Sequence, residues 1–152
     1  RRLSPEQADL IDSWIERARA QALPQSPLGE GWAYATSSNT SDFWVREEPL
    51  SVSGTSRVTW TAVTPSNGNT RAFRAIHAEQ LGRSKSSRLD RILQRETFDC
   101  SGRRSKMHEA IYYDGAGTPL DSVRDDYPDW TYPAPNTVGE GLLDVVCGAN
   151  GR

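Results

Sequence analysis

The most reactive side chains of this sequence are two histidines and two cysteines. His77 and His108 could act as general bases, or could bind a metal or haem, where carboxylates lie beside them. Cys100 and Cys147 are far apart in the sequence, whereas zinc sites use several ligands in short spacings such as C-x2-C. The two cysteines therefore form either a disulfide in an oxidising compartment or a pair of free thiols.

Motifs that would organise such residues into an active site are absent from the sequence. There is no G-x-S-x-G nucleophile elbow, no H-E-x-x-H and no P-loop. Asp125, Asp126 and Asp129 lack the D-x-D-x-D-G spacing of a calcium-binding loop. We therefore expect no catalytic residue, no metal site and no cofactor, and we interpret the chain as a non-enzyme. The alternative is a small haem- or ligand-binding protein, or a hydrolase, that uses His77 or His108.

Composition and charge exclude two classes of protein. A net charge of -2 over 152 residues argues against a strongly basic nucleic-acid binder. No apolar run approaches the roughly 18–20 residues that a transmembrane helix needs. The charge is uneven, because residues 71–106 hold ten Arg or Lys and four Asp or Glu, whereas residues 107–152 hold eight Asp or Glu and two Arg. We expect strand pairing to bring the two segments together, so that their charges compensate.

Aromatic side chains supply the candidate binding residues. The chain has five Trp, five Tyr and three Phe, which is more than a few short strands need for a core. Some of these rings are therefore expected at the surface, where aromatics near Arg are typical of protein-binding patches. The candidates are Tyr112, Tyr127, Trp130 and Tyr132.

A capped amphipathic helix is predicted over residues 4–22. Ser4 is a suitable N-cap, Pro5 suits the first helical position, and Gln7 completes a capping box with Ser4. Five apolar residues then recur at helical spacing along one face: Leu10, Ile11, Trp14, Ile15 and Ala18. The polar face is acidic in its first turns, so we expect this helix to pack on the body of the domain rather than on anionic lipid.

From residue 32 to residue 123 the pattern changes to the period of two that is typical of strands. In one such strand Val58, Trp60 and Ala62 are expected to face the core, while the intervening Thr residues face solvent. Residues 71–81 fit a short helix or a strand, and residues 82–87 read as a polar loop. A second helix follows, with a capping box from Thr137 to Glu140. The predicted fold class is α+β, a single antiparallel sheet with a helix at each end of the chain.

Several motifs of the chain occur in a distinctive order. They are the strand Arg95-Glu96-Thr97-Phe98-Asp99-Cys100, the hairpin Tyr112-Tyr113-Asp114-Gly115-Ala116-Gly117, Trp130, Pro135, and the helix start Val138-Gly139-Glu140 before Cys147. The order resembles the surface-adhesin protein E type of domain of Gram-negative bacteria. Three upstream runs look like its early strands: Phe43-Trp44-Val45, Val52-Ser53-Gly54 and Val58-Thr59-Trp60. The resemblance covers about residues 30–148.

The resemblance implies a disulfide between Cys100 and Cys147 that holds the C-terminal helix on the sheet. It also implies an exported protein, in the periplasm or on the outer membrane and cell surface; some members bind host matrix proteins or haem. We therefore divide the chain into an N-terminal amphipathic helix with its spacer, residues 1–29, and an adhesin-like domain, residues 30–152. The expected function is non-enzymatic binding of an unidentified protein partner. An open edge strand could also pair two copies into a homodimer, and a lipid anchor could precede residue 1.

Overall fold

The computed structural model describes residues 3–22 and 26–148. Its strands are β1 Trp32–Ser37, β2 Ser41–Arg46, β3 Ser51–Ser53, β4 Ser56–Pro65, β5 Leu89–Asp99, β6 Arg104–Asp114 and β7 Pro119–Arg124. Its helices are α1 Pro5–Ala22, α2 Thr70–Ile76, α3 Ala78–Leu81, α4 Arg83–Ser86 and α5 Val138–Cys147. The division into residues 1–29 and 30–152 stays a prediction.

All seven strands belong to one antiparallel sheet in the order β1-β2-β4-β5-β6-β7, and β3 pairs with the end of β4. Neighbouring strands in the sheet are joined by hairpins or short helices, so the topology contains no parallel crossover. A helix lies at the N-terminal end of the chain and another at the C-terminal end. The predicted α+β class is therefore confirmed.

One face of the sheet, which we call the helix-covered face, carries both hydrophobic clusters. The first cluster lies beneath the short helices α2 and α3, where Phe73 and Leu81 pack on Val63, Ile92 and Tyr112. The second lies beneath α5 and is formed by Val45, Phe98, Cys100, Leu142, Leu143 and Cys147. Because side chains alternate along each strand, the other residues of these strands form what we call the opposite face.

The two cysteines join the sheet to the C-terminal helix. Cys100 follows the end of β5, Cys147 is the last residue of α5, and their Cα atoms are 5.6 Å apart in a disulfide. The bridge links residues that are 47 apart in sequence, and in the chain-entropy model a loop of that length contributes about 4 kcal/mol to stability. The disulfide implied by the family resemblance is confirmed.

Local sequence signals fix the ends of both long helices. In α1, the Gln7 backbone N–H donates to Ser4 Oγ at 3.2 Å and the Ser4 N–H donates to Gln7 Oε1 at 3.0 Å, which is the predicted capping box. In α5, the Glu140 N–H donates to Thr137 Oγ1 at 3.4 Å. Gly148, with φ 72°, follows the last turn in a conformation that favours glycine.

Three sequence predictions differ from the structure. In β4 the threonines are buried, with Thr59 and Thr61 each 1% exposed, whereas Trp60 lies on the opposite face and is half-buried. The reason is that the register of β4 with β5 puts the threonines on the side that the helices cover. The predicted burial is correct for Ala62, which is 0% exposed and pairs with the buried Trp44 on the opposite face, and is wrong for the two threonines.

The second difference concerns α1. Its apolar residues remain exposed, with Leu10 65% and Trp14 74% accessible, so the predicted packing on the domain body is wrong for the described side chains. Nothing is described of the Ala18 side chain. The third difference is that the predicted polar loop 82–87 contains the single turn α4, in which Ser86 is buried. Of the two alternatives left open for residues 71–81, the structure has the helical one, as α2 and α3.

Candidate binding surface

A short strand-like contact brings the C-terminal coil onto β6. The Ser105 N–H donates to the Thr131 carbonyl at 3.0 Å, and the Thr131 N–H donates to the Ser105 carbonyl at 2.7 Å. In such an antiparallel bridge the flanking residues project to the same side. The bridge therefore places Trp130 and Tyr132 beside the cations that flank Ser105.

Trp130 is held between two cations of β6. The Arg104 guanidinium carbon lies 4.1 Å from the centroid of the Trp130 ring, and the Lys106 ammonium lies 4.4 Å from it. Both distances are within the range of a cation–π interaction. Arg104 Nη1 also donates to the Tyr132 hydroxyl at 3.3 Å. We call Arg104, Lys106, Trp130 and Tyr132 the aromatic–basic surface.

Arg104 is fixed by a carboxylate at the end of β5. Its Nε donates to Asp99 Oδ2 at 2.8 Å, while the Gly102 N–H donates to Asp99 Oδ1 at 3.1 Å. The hydrogen bond from Arg104 is the main reason that the pKa of Asp99 lies below its ordinary value, and the bond from Gly102 adds to the effect. The guanidinium over Trp130 is thus positioned before any partner arrives.

Register places the aromatic–basic surface on the opposite face of the sheet. Arg104 pairs with Asp99 and Lys106 pairs with Thr97, on the side that Phe98 does not occupy. Tyr132 is 66% exposed and Trp130 is half-buried. Of the sequence candidates, the structure therefore brings Trp130 and Tyr132 together.

The other two tyrosine candidates lie elsewhere. Tyr127 is 92% exposed in the coil after β7, where its backbone N–H donates to Asp125 Oδ1 at 3.0 Å. Tyr112 is only 6% exposed and belongs to the hydrophobic cluster beneath α2 and α3. Its ring lies 6.2 Å from that of His77, and burial raises the pKa of its hydroxyl. Tyr112 thus contributes to the core rather than to a surface.

The two histidines lie on opposite faces of the sheet. His77 packs between Phe73 and Tyr112 on the helix-covered face, with ring centroids 5.1 and 6.2 Å away, and burial lowers its pKa. His108 sits at a bulge of β6, where its Nε2 lies 2.6 Å from Thr97 Oγ1 on the opposite face. Burial lowers the pKa of His108 first, and the charges of Arg95 and Lys106 lower it further. The fold thus separates these side chains.

Sequence reasoning missed a half-buried carboxyl group in β5. Glu96 lies on the helix-covered face, opposite Thr59, and accepts a hydrogen bond from the Thr61 hydroxyl at 2.5 Å. Burial raises the pKa of Glu96 to about 7, against the smaller opposing effect of that hydrogen bond. The available signal was the alternation Ile92, Gln94, Glu96, Phe98, in which polar residues share a face with two core residues.

The uneven charge of the sequence is compensated across the fold. Three ion pairs join the basic segment 71–106 to the acidic segment 107–152: Arg95 with Glu109, Arg103 with Asp144, and Lys85 with Asp121. Within residues 3–22 and 26–148, no three His, Cys, Asp or Glu side chains are grouped so as to hold a metal ion. No helix in the same ranges is long and apolar enough to span a bilayer.

Comparison with known proteins gives one family and one group of structures. A family model described as surface-adhesin protein E matches residues 32–148. The crystal form II structure of Haemophilus influenzae protein E has a TM-score of 0.58 at 12% identity, covering 86% of this chain and 97% of that chain. Protein E from non-typeable Haemophilus influenzae has a TM-score of 0.54 at 12% identity, covering 82% of this chain and 80% of that chain. Among curated proteins, none matches this sequence. At such identities the structural likeness establishes the fold.

Proposed function

Because this chain belongs to the surface-adhesin protein E family, we propose that it is an exported, non-enzymatic domain whose aromatic–basic surface binds a protein partner. Family membership makes the chain an adhesin-like surface protein. The periplasm or the outer membrane and cell surface is the proposed location, and a disulfide is in keeping with an oxidising compartment of this kind.

The observation that carries the proposal is the arrangement of Trp130 between Arg104 and Lys106. Trp, Tyr and Arg are the residues most often found at binding hot spots, where a large ring and a directional donor act together. Here Arg104 is already held by Asp99 and by the Tyr132 hydroxyl, so little side-chain entropy is lost when a partner docks.

The charges of the surface indicate what the partner offers. Among the described residues, no carboxylate forms an ion pair with Lys106, whereas Arg104 is paired with Asp99. A partner segment that stacks an apolar side chain near Trp130 and directs a carboxylate at Lys106 would complement both features. Tyr132, which is 66% exposed, would lie at the rim of such a contact.

Support for a non-enzymatic role comes from the reactive side chains. Both cysteines are joined in the disulfide, and the two histidines are on different faces of the sheet. Each histidine already has a neighbour: Nε2 of His108 lies against the Thr97 hydroxyl, and the His77 ring packs on aromatic rings. His77 forms no hydrogen bond with a hydroxyl or thiol among the described residues, and the contact of His108 with Thr97 is not completed by a hydrogen bond from its Nδ1 to any described carboxylate, as a catalytic triad would require.

The experiment compares the oxidised wild-type chain with Trp130→Ala on a panel of immobilised extracellular matrix proteins. Trp130→Ala should weaken binding by about tenfold or more, as expected for a hot-spot residue. Trp32→Ala is the matched control, because Trp32 also lies under a guanidinium, that of Arg46 at 5.5 Å, but sits on the edge strand β1. Equal loss in both variants, or full binding by Trp130→Ala with an unchanged melting temperature, would contradict the proposal.

A homodimer is proposed as a second arrangement of the same domain. The strands β1 and β7 are the edges of the sheet, and an edge strand offers unpaired backbone groups to a second copy. Light scattering behind size-exclusion chromatography measures the mass directly. A monomer at all concentrations up to the millimolar range would rule this arrangement out.

A further inference from the structure

A cleft of about 350 Å³ opens on the helix-covered face, between the start of β4 and the last turn of α5. Its floor is formed by Val45 and Thr59, which are 4% and 1% exposed. The cleft lies on the side of the sheet away from the aromatic–basic surface, because Thr59 shares the face of Phe98 rather than that of Lys106. Its volume is within the range of small-molecule sites.

Thr59, which lines this cleft, has a buried hydroxyl without a partner. Thr59 Oγ1 is inaccessible and forms no hydrogen bond with any described residue. Native proteins rarely leave such a group unsatisfied, because removing it from water costs free energy that only a hydrogen bond restores. The neighbouring Thr61, on the same face, donates its hydroxyl to Glu96, so the two threonines differ in this respect.

A half-buried guanidinium lies in the same wall. Arg57 is two residues before Thr59 on β4 and lines the cleft beside it. Both of its hydrogen bonds, to the Thr55 carbonyl and to Cys100 Sγ, leave from Nη1. The Nε and Nη2 donors have no acceptor among the described residues. A guanidinium presents its donors in a fork that matches a carboxylate.

The remaining walls are aliphatic, and the balance of charge is positive. Ala33, Val45 and Val146 contribute methyl groups, while Arg46 and Glu47 lie at the exposed rim. The C-terminal end of α5 adds about half a negative charge near the cleft, which is smaller than the charge of the two guanidiniums. Among the described residues that line the cleft, Glu47 is the one with a carboxylate. Glu96 pairs with Thr59 across the ladder, and burial raises its pKa to about 7.

We infer that this cleft binds a small aliphatic carboxylate. The carboxylate accepts hydrogen bonds from the Thr59 hydroxyl and the Arg57 guanidinium, and the hydrocarbon chain packs on Val45, Val146 and Ala33. This assignment satisfies the one orphaned hydroxyl of the cleft and uses the unengaged donors of Arg57. It is independent of the aromatic–basic surface, which lies on the other side of the sheet.

The test is calorimetric titration of the full oxidised chain with hexanoate. Saturable binding at one site per chain is expected, with affinity reduced about tenfold by Thr59→Val and by Arg57→Gln, since each loses a hydrogen bond to a charged group. Arg91→Gln is the matched control, because Arg91 packs on Tyr113 at 5.6 Å on β5, away from the cleft. This variant should bind hexanoate as the wild type does.

Two further probes test whether binding depends on the carboxylate group or only on the apolar cavity. Hexanol and hexylamine should bind at least tenfold more weakly than hexanoate, because neither supplies an acceptor pair for Arg57 and Thr59. No saturable binding of hexanoate, equal binding of hexanol, or unchanged affinity in both Thr59→Val and Arg57→Gln would each overturn the inference.

Discussion

Replacement of Glu96 by Gln should stabilise the protein at alkaline pH and leave its stability nearly unchanged in acid. The carboxyl lies between the two hydrophobic clusters, and its hydrogen-bond partner among the described residues is the neutral hydroxyl of Thr61. Among the described residues no cation forms an ion pair with it. Ionisation of Glu96 in the folded state is therefore opposed by burial.

The size of the stabilisation expected for Glu96→Gln follows from the pKa of Glu96. Burial raises the pKa of Glu96 from its ordinary 4.5 to about 7, and each pKa unit is worth about 1.4 kcal/mol. Below pH 4.5 the group is protonated in both states and contributes nothing. Between pH 4.5 and about 7 the unfolded state loses its proton first, so wild-type stability falls as pH rises. Above pH 7 the full penalty, about 3 kcal/mol, is present.

The assay is urea unfolding of the wild type and Glu96→Gln at pH 4.5 and pH 8. Gln keeps the acceptor for the Thr61 hydroxyl and cannot ionise, so the difference in unfolding free energy should be below about 1 kcal/mol in acid and about 3 kcal/mol at pH 8. Taking the difference between variants cancels the other titrations, including that of Asp99. Glu79→Gln, on the exposed surface of α3, is the control and should show no such trend. A difference of the same size at both pH values would refute the reasoning.

The remaining predictions concern the bridge, the orphaned hydroxyl and the histidines. Replacing Cys100 and Cys147 by Ala should lower the free energy of unfolding by about 4 kcal/mol, and thiol titration of the unfolded, unreduced wild type should find no free thiol; two titratable thiols would contradict this. Without ligand, Thr59→Val should raise the free energy of unfolding by about 1 kcal/mol, and the melting temperature with it, because it removes an unsatisfied buried hydroxyl. A lower melting temperature would show that the hydroxyl has a partner. Combined replacement of His77 and His108 by Ala should leave partner binding intact; loss of binding with an unchanged melting temperature would favour a histidine-dependent site.

Local features were the most predictable from sequence. The capping box of α1 and the N-cap of α5 by Thr137 involve residues three apart, so their hydrogen bonds depend on the immediate chain alone. At α5 the Glu140 carboxylate accepts from the Asn136 N–H and not from Thr137 as a full capping box requires. The antiparallel sheet was indicated by period two, and the bridge between Cys100 and Cys147 by the order of motifs that resembles a family. None of these predictions required knowledge of the contacts between segments that are distant in the sequence.

Features that depend on contacts between distant segments were not predictable in the same way. The faces of β4 are decided by its pairing with β5 and by the helices that cover Thr59, neither of which leaves a signal in β4 itself. Tyr112 is buried because α2 and α3 fold over it, and Trp130 is positioned by a bridge between Ser105 and Thr131. The bulge in β6 also moves His108 to the face opposite Tyr112, which strict alternation could not foresee.

The turn between β5 and β6 links the disulfide to the aromatic–basic surface. On one side it is tied to α5, through the bridge from Cys100 and through Arg103, whose Nη2 donates to Asp144 Oδ1 at 2.7 Å. On the other side Asp99 holds Arg104 over Trp130. The turn is also conformationally demanding, because Arg103 has a positive φ of 52° and a Cβ on Gly102 would lie 2.5 Å from Asp99 Oδ2.

These constraints give the disulfide a second role besides stability. Anchoring Cys100 to α5 fixes the backbone next to Asp99, and Asp99 in turn sets the position of the Arg104 guanidinium. Without the disulfide, the turn between β5 and β6 would be less constrained, and Asp99, Arg104 and Trp130 would become ordered only when a partner binds. That ordering costs free energy for each side chain that is immobilised. If the aromatic–basic surface binds a partner as proposed, the bridge on the helix-covered face would favour that binding by holding Asp99, Arg104 and Trp130 in place beforehand.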